Sequence, residues 1–482
     1  MRKGIAFGQS GWQGRLDEDL TEENILLVAD ALVRYLFGQD PSPAKITAAI
    51  GFDGRAKSRE IASLIAKTIS ENGVDVLLSS GIIPTPVLSF GVTFNGCTFG
   101  IMVTGGDLPP EYNGIEFKGA YGGPLSSDAT AQIESLLRDK IREPAGLSGH
   151  GRKEIAIVDF LPRYVAHLES LIDFSILRSF SENPKNNGNV LIDSMGGAGQ
   201  TIIEDILVGC GWRAQTLFGT PESRFFDRRP ESVPANLDAL KYNVKVVDAL
   251  FGIATDGDGG RCGIVDEIGM WLNAQETTLA LLWHLHKHKQ WKGQILKSAD
   301  TTDKVLRVAD HWNIPLLDIG MRNGVGEFRG GKTLLGSLGS GGYCYGRHLL
   351  DCDGILTGLF FAELVANELK PLDEIKSQLE TSFGPPHYST ADKPCDLPIA
   401  RRLMRILTDG PSQHLGSLGK YQMEASETRG AINGLKVRWG DCRWLILQHL
   451  PLLSTIRLHA EGESGADMSA ILEVGQRCLS FR

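Results

Sequence analysis

The stretch 101-IMVTGGDLPPEYNGIEFK-118 decides how the rest of the chain is read. A short apolar run, Phe99 to Val103, ends at Thr104; Gly105 and Gly106 follow, then Asp107 and the pair Pro109-Pro110. An apolar run of that length, stopped by glycine and proline, is a buried strand entering a tight loop. In open α/β sheets, ligands are handled in loops beyond the carboxyl ends of strands. The loop at 104–109 is therefore the first place to look for chemistry.

Upstream of it, Lys45 to Phe52 reads as a strand and Ser58 to Asn72 as an amphipathic helix with Ile61, Leu64, Ile65 and Ile69 on one face. Asp75 to Ser79 is a further strand, and Pro84-Thr85-Pro86 opens a helix. Strands alternating with helices predict a mostly parallel sheet covered on both faces. Beyond a polar linker at 148–153, a second α/β unit is expected from about 155 to 266. It has a strand at Asn189 to Asp193, a helix opened by Gly196 to Gly199, and a near-continuous apolar strand from Val244 to Ile253. A third unit spans about 267 to 372, with helices at Thr277–His288, Thr302–His311 and Asp353–Glu368 and strands at Gln294–Lys297 and Lys332–Leu335. Three times a short apolar strand empties into a glycine-rich loop, near 104, 255 and 336, as if one α/β pattern were used three times. The remainder breaks the pattern. A linker or extended segment at 381–393 precedes a helix near 398–408, strands near 433–438, 443–448 and 454–460, and a last helix at 465–478, an α+β domain.

The chain has 482 residues, which predicts three or four domains. Its net charge of −9 argues against nucleic acid as the main partner. No run of about 18 apolar residues is present, which argues against a membrane span, and the start of the chain lacks a signal-peptide pattern. The eight cysteines form no CxxC pair, as expected of reduced thiols in a cytoplasmic protein.

The order of these elements, with several short motifs, resembles the α-D-phosphohexomutase superfamily of the bacterial phosphoglucomutase/phosphomannomutase type, over nearly the whole chain. Phe7-Gly8 with Ser10-Gly11 resembles FGTSGxRG, Gly51 to Arg55 resembles GxDxR, and Pro84-Thr85-Pro86 resembles PTP. Pro109 to Ile115 resembles NPPEYNGIK, Asp193 with Met195 to Gly199 resembles DxMHGAG, and Gly252 to Arg261 resembles GIATDxDxDR. The resemblance implies three related mixed or parallel-sheet α/β domains (1–150, 151–266 and 267–375) and a C-terminal α+β domain (376–482) around a central cleft. It also implies phosphate transfer between C1 and C6 of a hexose through a phosphoserine, with Mg²⁺.

The positions that would carry this chemistry depart from the family pattern. Against TASHNP the chain reads Thr104-Gly105-Gly106-Asp107-Leu108-Pro109, so the nucleophilic serine falls on Gly106 and the histidine on Asp107. A phosphoryl acceptor needs a side-chain oxygen, which glycine lacks. The metal loop at 254–261 keeps Asp256 and Asp258, but its third acid falls on Gly260. The sugar loop at 336–342 has lost both glutamates of GEESGG and retains Ser340. The phosphate loop at 448–454 reads QHLPLLS against RPSGTEP, leaving only Arg457 downstream. Gln13 and Glu116 replace an arginine and the NGIK lysine.

The expectation is a mutase-shaped pseudoenzyme retained for binding or assembly, with Mg²⁺ at most at a vestigial Asp256–Asp258 site. Weak phosphosugar contacts would come from Arg55, Arg261, Arg322, Ser340 and Arg457. Leu450, Leu452 and Leu453 replace a polar loop and suggest a patch for a protein partner or a second copy, or closure against another domain. The alternative is an active phosphohexomutase with Asp107 or Thr104 as acceptor. His284, His286 and His288 invite a metal reading, but on a helix only the first and last share a face.

Overall fold

The computed structural model describes residues 5–8, 11–39, 45–138, 151–186, 188–321, 332–410, 412–428 and 431–480. These residues form two compact units. The first takes in those up to Trp271 together with Gly342–Asp373; the second takes in the remainder. Arg322 lies outside the described residues, as do Ser10 and the first part of the 148–153 linker.

In the first unit, one sheet runs Gly11–Arg15, Tyr112–Gly119, Phe99–Val103, Thr47–Phe52, Asp75–Ser79, Ile155–Val158. The strands from Phe99–Val103 to Ile155–Val158 are parallel, and Tyr112–Gly119 pairs antiparallel with both of its neighbours. Every residue of Phe99–Val103 is buried, which explains its unbroken apolar run. The strand Ile155–Val158 belongs to this sheet, paired with Val76 to Ser79, and not to the following unit as expected from the linker. A polar segment can connect two strands of one sheet as readily as two domains.

A second sheet places Phe251–Thr255 beside Asn189–Asp193 in parallel and beside Cys262–Asp266 antiparallel. The expected strand from Val244 is instead the helix Asp238–Val246, with the strand confined to Phe251–Thr255. Leu240 and Val244, four apart, are buried on one helix face while Val246 is 60% exposed. A short apolar run does not separate these two periods. The helix Gly354–Glu368 is buried from Gly354 through Ala366. It packs on the helices Phe174–Glu182 and Ile202–Gly209 and on the strands Phe251–Thr255 and Cys262–Asp266. Burial on all sides accounts for its lack of a polar stripe. The segment assigned by sequence to the third domain thus completes the core of the first unit.

In the second unit, the parallel strands Leu316–Gly320, Gln294–Ser298 and Thr333–Leu338 are neighbours. The C-terminal antiparallel sheet runs His387–Pro394, Thr455–Gly462, Arg443–Leu450, Ala431–Gly440, Gln422–Thr428, with the helices Leu397–Asp409 and Gly465–Leu479 against it. Of the two readings of 381–393, linker or extended segment, the second holds for most of it, as the edge strand His387–Pro394. Glu461 is fully buried and ties the third-domain segment to this sheet. It accepts hydrogen bonds from the Thr302 hydroxyl, from Asp303 N–H (3.1 Å) and from Trp444 Nε1 (2.6 Å).

Lys436 is buried in the same region, with Nζ 4.7 Å from the Trp444 ring centroid and donating to the Ala299 carbonyl. Burial, then the nearby Lys297 ammonium, pushes its pKa down from 10.5 to about 7. Between those values the unfolded chain holds a proton that the folded chain has released, so stability rises with pH across that window. The slope is at most about 1.4 kcal/mol per pH unit. Urea midpoints at pH 7 and pH 9 are expected to show this rise, and Lys436→Met is expected to remove it.

His284 and His288 share a helix face, with ring centroids 5.7 Å apart. His284 is fully buried in its helix, while His286 stacks on Trp312 at 4.4 Å and 8°.

Candidate active-site loops

In the first unit, the loop after Phe99–Val103 is held from beneath by Asp53 and Arg55, which follow the strand Thr47–Phe52. Asp53 Oδ1 accepts from Ser58 Oγ (2.6 Å) and Arg55 N–H (3.0 Å), and Oδ2 accepts from Thr104 Oγ1 (2.7 Å). Thr104 is fully buried, and its Oγ1 in turn accepts from Gly106 N–H (2.9 Å). Arg55 has a side chain with no exposed surface. Its Nη1 donates to the carbonyls of Pro109 (2.9 Å) and Tyr112 (3.0 Å), and its Nη2 to those of Gly106 (2.8 Å) and Leu108 (2.7 Å). Arg55 therefore shapes the loop, and its four terminal hydrogen bonds go to backbone.

Gly106 has a φ of +57°, and nothing lies within 4 Å of where a Cβ would stand. The space for a side chain exists, but the left-handed backbone disfavours one. Gly257, at the next loop, has the opposite constraint: a Cβ there would fall 2.7 Å from the Gly106 carbonyl oxygen. The 104–109 and 254–261 loops pack backbone against backbone at this point.

Asp107 makes the main electrostatic contact between these loops. Its carboxylate pairs with Arg261 Nη1 and lies 3.8 Å from Arg229 Nη2, while its carbonyl accepts from Arg229 Nε (3.1 Å). Burial alone would lower the Arg261 pKa, but Asp107, Asp256 and Glu231 together outweigh it and raise the net value. Asp256 Oδ1 accepts from Arg261 N–H (3.0 Å). Asp258 accepts from Thr85 Oγ1 (2.5 Å) at Oδ2 and from Gly260 N–H (3.2 Å) at Oδ1. Burial, then repulsion from Asp258, raises the Asp256 pKa well above the ordinary carboxylate value.

A Mg²⁺ ion at this loop would draw on two carboxylates and take the rest of its near-octahedral shell from water. Three of the four carboxylate oxygens already accept hydrogen bonds, and Gly260 stands where a third acid would. No group of three His, Cys, Asp or Glu side chains placed to hold a metal occurs among the described residues.

Sequence reading missed three neighbours of these loops. Arg229, just described, is one. The second is the turn Phe225-Phe226-Asp227, where all three residues have left-handed φ values of 53°, 55° and 57°. Such backbone costs on the order of 1–2 kcal/mol per residue. It places Phe225 over the Arg55 guanidinium at 4.7 Å. The turn also borders a pocket of about 360 Å³ lined by Pro109, Pro110, Glu111, Arg224, Arg228 and Arg229, among others. The only available signal was the dense charge of 222-ESRFFDRRPE-231. The third is a buried network in which Lys118 Nζ meets Asp351 (2.8 Å) and Glu116 (3.2 Å), and Ser89 Oγ donates to Asp351 (2.7 Å). Lys118 lies two residues from Glu116 on one strand, so both side chains share a face.

In the second unit, Arg457 forms a two-pronged ion pair with Asp392 (2.7 and 2.8 Å), so a carboxylate of its own chain takes the guanidinium fork. Ser340 is half-buried. Leu450 and Leu453 are half-buried and Leu452 is 38% exposed, around the single 3₁₀ turn Pro451–Leu453 that joins two C-terminal strands.

Four domains in this order, with these loops after the strand ends, define a phosphohexomutase fold, and the chain belongs to the α-D-phosphohexomutase superfamily. Domains I, II and III of the phosphoglucomutase/phosphomannomutase family match residues 4–143, 162–269 and 273–383. A probable phosphoglucosamine mutase of Methanosphaera stadtmanae is 26% identical, with 98% of each chain covered. One from Thermococcus kodakarensis is 29% identical, with 92% of this chain and 91% of the other covered. The solved structure of a putative phosphomannomutase from Thermus thermophilus superposes with a TM-score of 0.81 at 25% identity, covering all of both chains.

Proposed function

We propose that this chain is a phosphohexomutase-fold pseudoenzyme, retained in the cytoplasm as a binding or assembly protein with weak affinity for phosphosugars. The observation that carries the proposal is the chemistry of the 104–109 loop. Gly106 offers no acceptor oxygen. Thr104 Oγ1 is buried and engaged by Asp53 and Gly106 N–H. The Asp107 carboxylate is held by Arg261. A nucleophile must be free to approach phosphorus and be activated by a base or a lowered pKa. The two-carboxylate donor set at Asp256 and Asp258 points the same way. The partner contacts we assign to the apolar turn at Leu450, Leu452 and Leu453, where Leu452 offers the exposed surface.

A second reading, an active mutase with Asp107 as acceptor, is favoured by the full-length similarity to proteins named as mutases. Asp107 is the partly exposed carboxylate of the loop, with 19% of its side chain accessible. A coupled assay separates the two. With a hexose 1-phosphate, a bisphosphate activator and Mg²⁺, no 6-phosphate is expected above background. Turnover comparable to that of an ordinary mutase assayed in parallel overturns the proposal.

A further inference from the structure

The stretch from the strand Gly342–Cys344 to the helix Gly354–Glu368 holds two thiols outside the loops described above, one ending the strand and one just before the helix. Cys344 Sγ and Cys352 Sγ are 3.2 Å apart. Asp353 N–H donates to the Tyr343 carbonyl (3.1 Å), which clamps together the residues flanking the two cysteines. Seven residues lie between them, so the chain folds back on itself in a short loop. A disulfide requires sulfurs about 2.05 Å apart, so the gap closes by a side-chain movement of about one ångström. Cys344 is buried and Cys352 is partly exposed. Of the other cysteines, only Cys395 shares that partial exposure.

We propose that Cys344 and Cys352 form a hydroperoxide-oxidisable dithiol that closes into a disulfide across the 344–352 loop. Cys352, the accessible partner, meets the oxidant. Its thiolate sulfur attacks the terminal peroxide oxygen; an S–O bond forms, the O–O bond breaks, and water or an alcohol leaves. Cys344 then attacks the sulfenic sulfur; the S–S bond forms, the S–O bond breaks, and hydroxide leaves with the Cys344 proton as water. Two thiols lose two electrons, and the peroxide takes them up. The hydrogen-bonded neighbour Cys352, then burial, raises the Cys344 thiol well above its ordinary value, which disfavours Cys344 as the first thiol to meet the oxidant.

The bond would close a loop with structural connections. His348, within it, hydrogen-bonds Asp353 (2.7 Å) and His167 (3.0 Å), and Asp351 holds Lys118.

The test exposes the reduced protein to hydrogen peroxide, blocks residual thiols with N-ethylmaleimide and digests with trypsin. Arg347 lies between the two cysteines, so they leave on separate peptides. The expected product is one dithiothreitol-reversible linked pair, an intact mass lower by two hydrogens, and Cys395 still alkylated. Cys344→Ser is expected to stop at a Cys352 sulfenic acid that dimedone captures, and Cys352→Ser to lose both products. The proposal is overturned if Cys352 stays alkylated to the same extent as Cys395. It is equally overturned if Cys352 passes to sulfinic acid while Cys344 remains a free thiol.

Discussion

Replacing Arg55 by methionine is expected to lower the stability of the chain by about 3–5 kcal/mol, the usual cost of removing one partner from a buried charge pair. The change leaves the Asp53 carboxylate buried beside a neutral side chain, and burial already raises its pKa. It also strips four carbonyls of the 104–112 segment of their donor. Urea unfolding measures the loss, and Arg55→Lys is expected to recover only part of it, because an ammonium cannot serve four acceptors in the guanidinium's fixed fork. The outcome bears on function as well. If Arg55→Met left stability unchanged but abolished phosphosugar binding, Arg55 would be a ligand contact and not the support of the loop.

Lys118→Met is the second change expected to cost about 3–5 kcal/mol. Lys118 is fully buried; Asp351 and Glu116 together outweigh the burial that would otherwise lower its pKa, and they hold it charged. Without it, Glu116 and Asp351 face one another with no compensating cation. Burial already raises the Glu116 pKa in the intact protein, and Lys118 only partly offsets this. In the variant that rise increases. A carboxyl with a raised folded-state pKa weakens the folded state above the unfolded pKa, and protonation relieves the penalty as pH falls. The deficit of Lys118→Met is therefore expected to be greatest at neutral pH and to shrink toward acid, as followed by urea midpoints from pH 8 to pH 5. A deficit independent of pH would mean that lost packing, not charge, sets the cost.

The fold was largely legible in the sequence because its strands are short, apolar and punctuated by glycine, and its helices are either amphipathic or wholly apolar. The errors came where local pattern is ambiguous. The run from Val244 could be strand or helix, and only Leu240 and Val244 turning the same way into the core decides it. The strand Ile155–Val158 carries no sign of the sheet it joins, since pairing is a long-range property. Glu116 and Lys118 are ordinary charges on a strand until Asp351, far along the chain, is brought to them. For the site, the sequence named the loops and the missing groups. It could not show that Asp107 pairs with Arg261, that Arg55 spends its guanidinium on backbone carbonyls, or that Asp392 takes the fork of Arg457. Each of these is an internal partner occupying an arginine that residue type alone would offer to a phosphate.

The most direct test of the proposed loss of phosphoryl-transfer chemistry is the intact mass of the protein after incubation with a hexose 1,6-bisphosphate and Mg²⁺, read both promptly and after mild alkaline treatment. The account predicts an unchanged mass in the wild-type chain. A single added phosphoryl group on Thr104, or a base-labile one on Asp107, would contradict it.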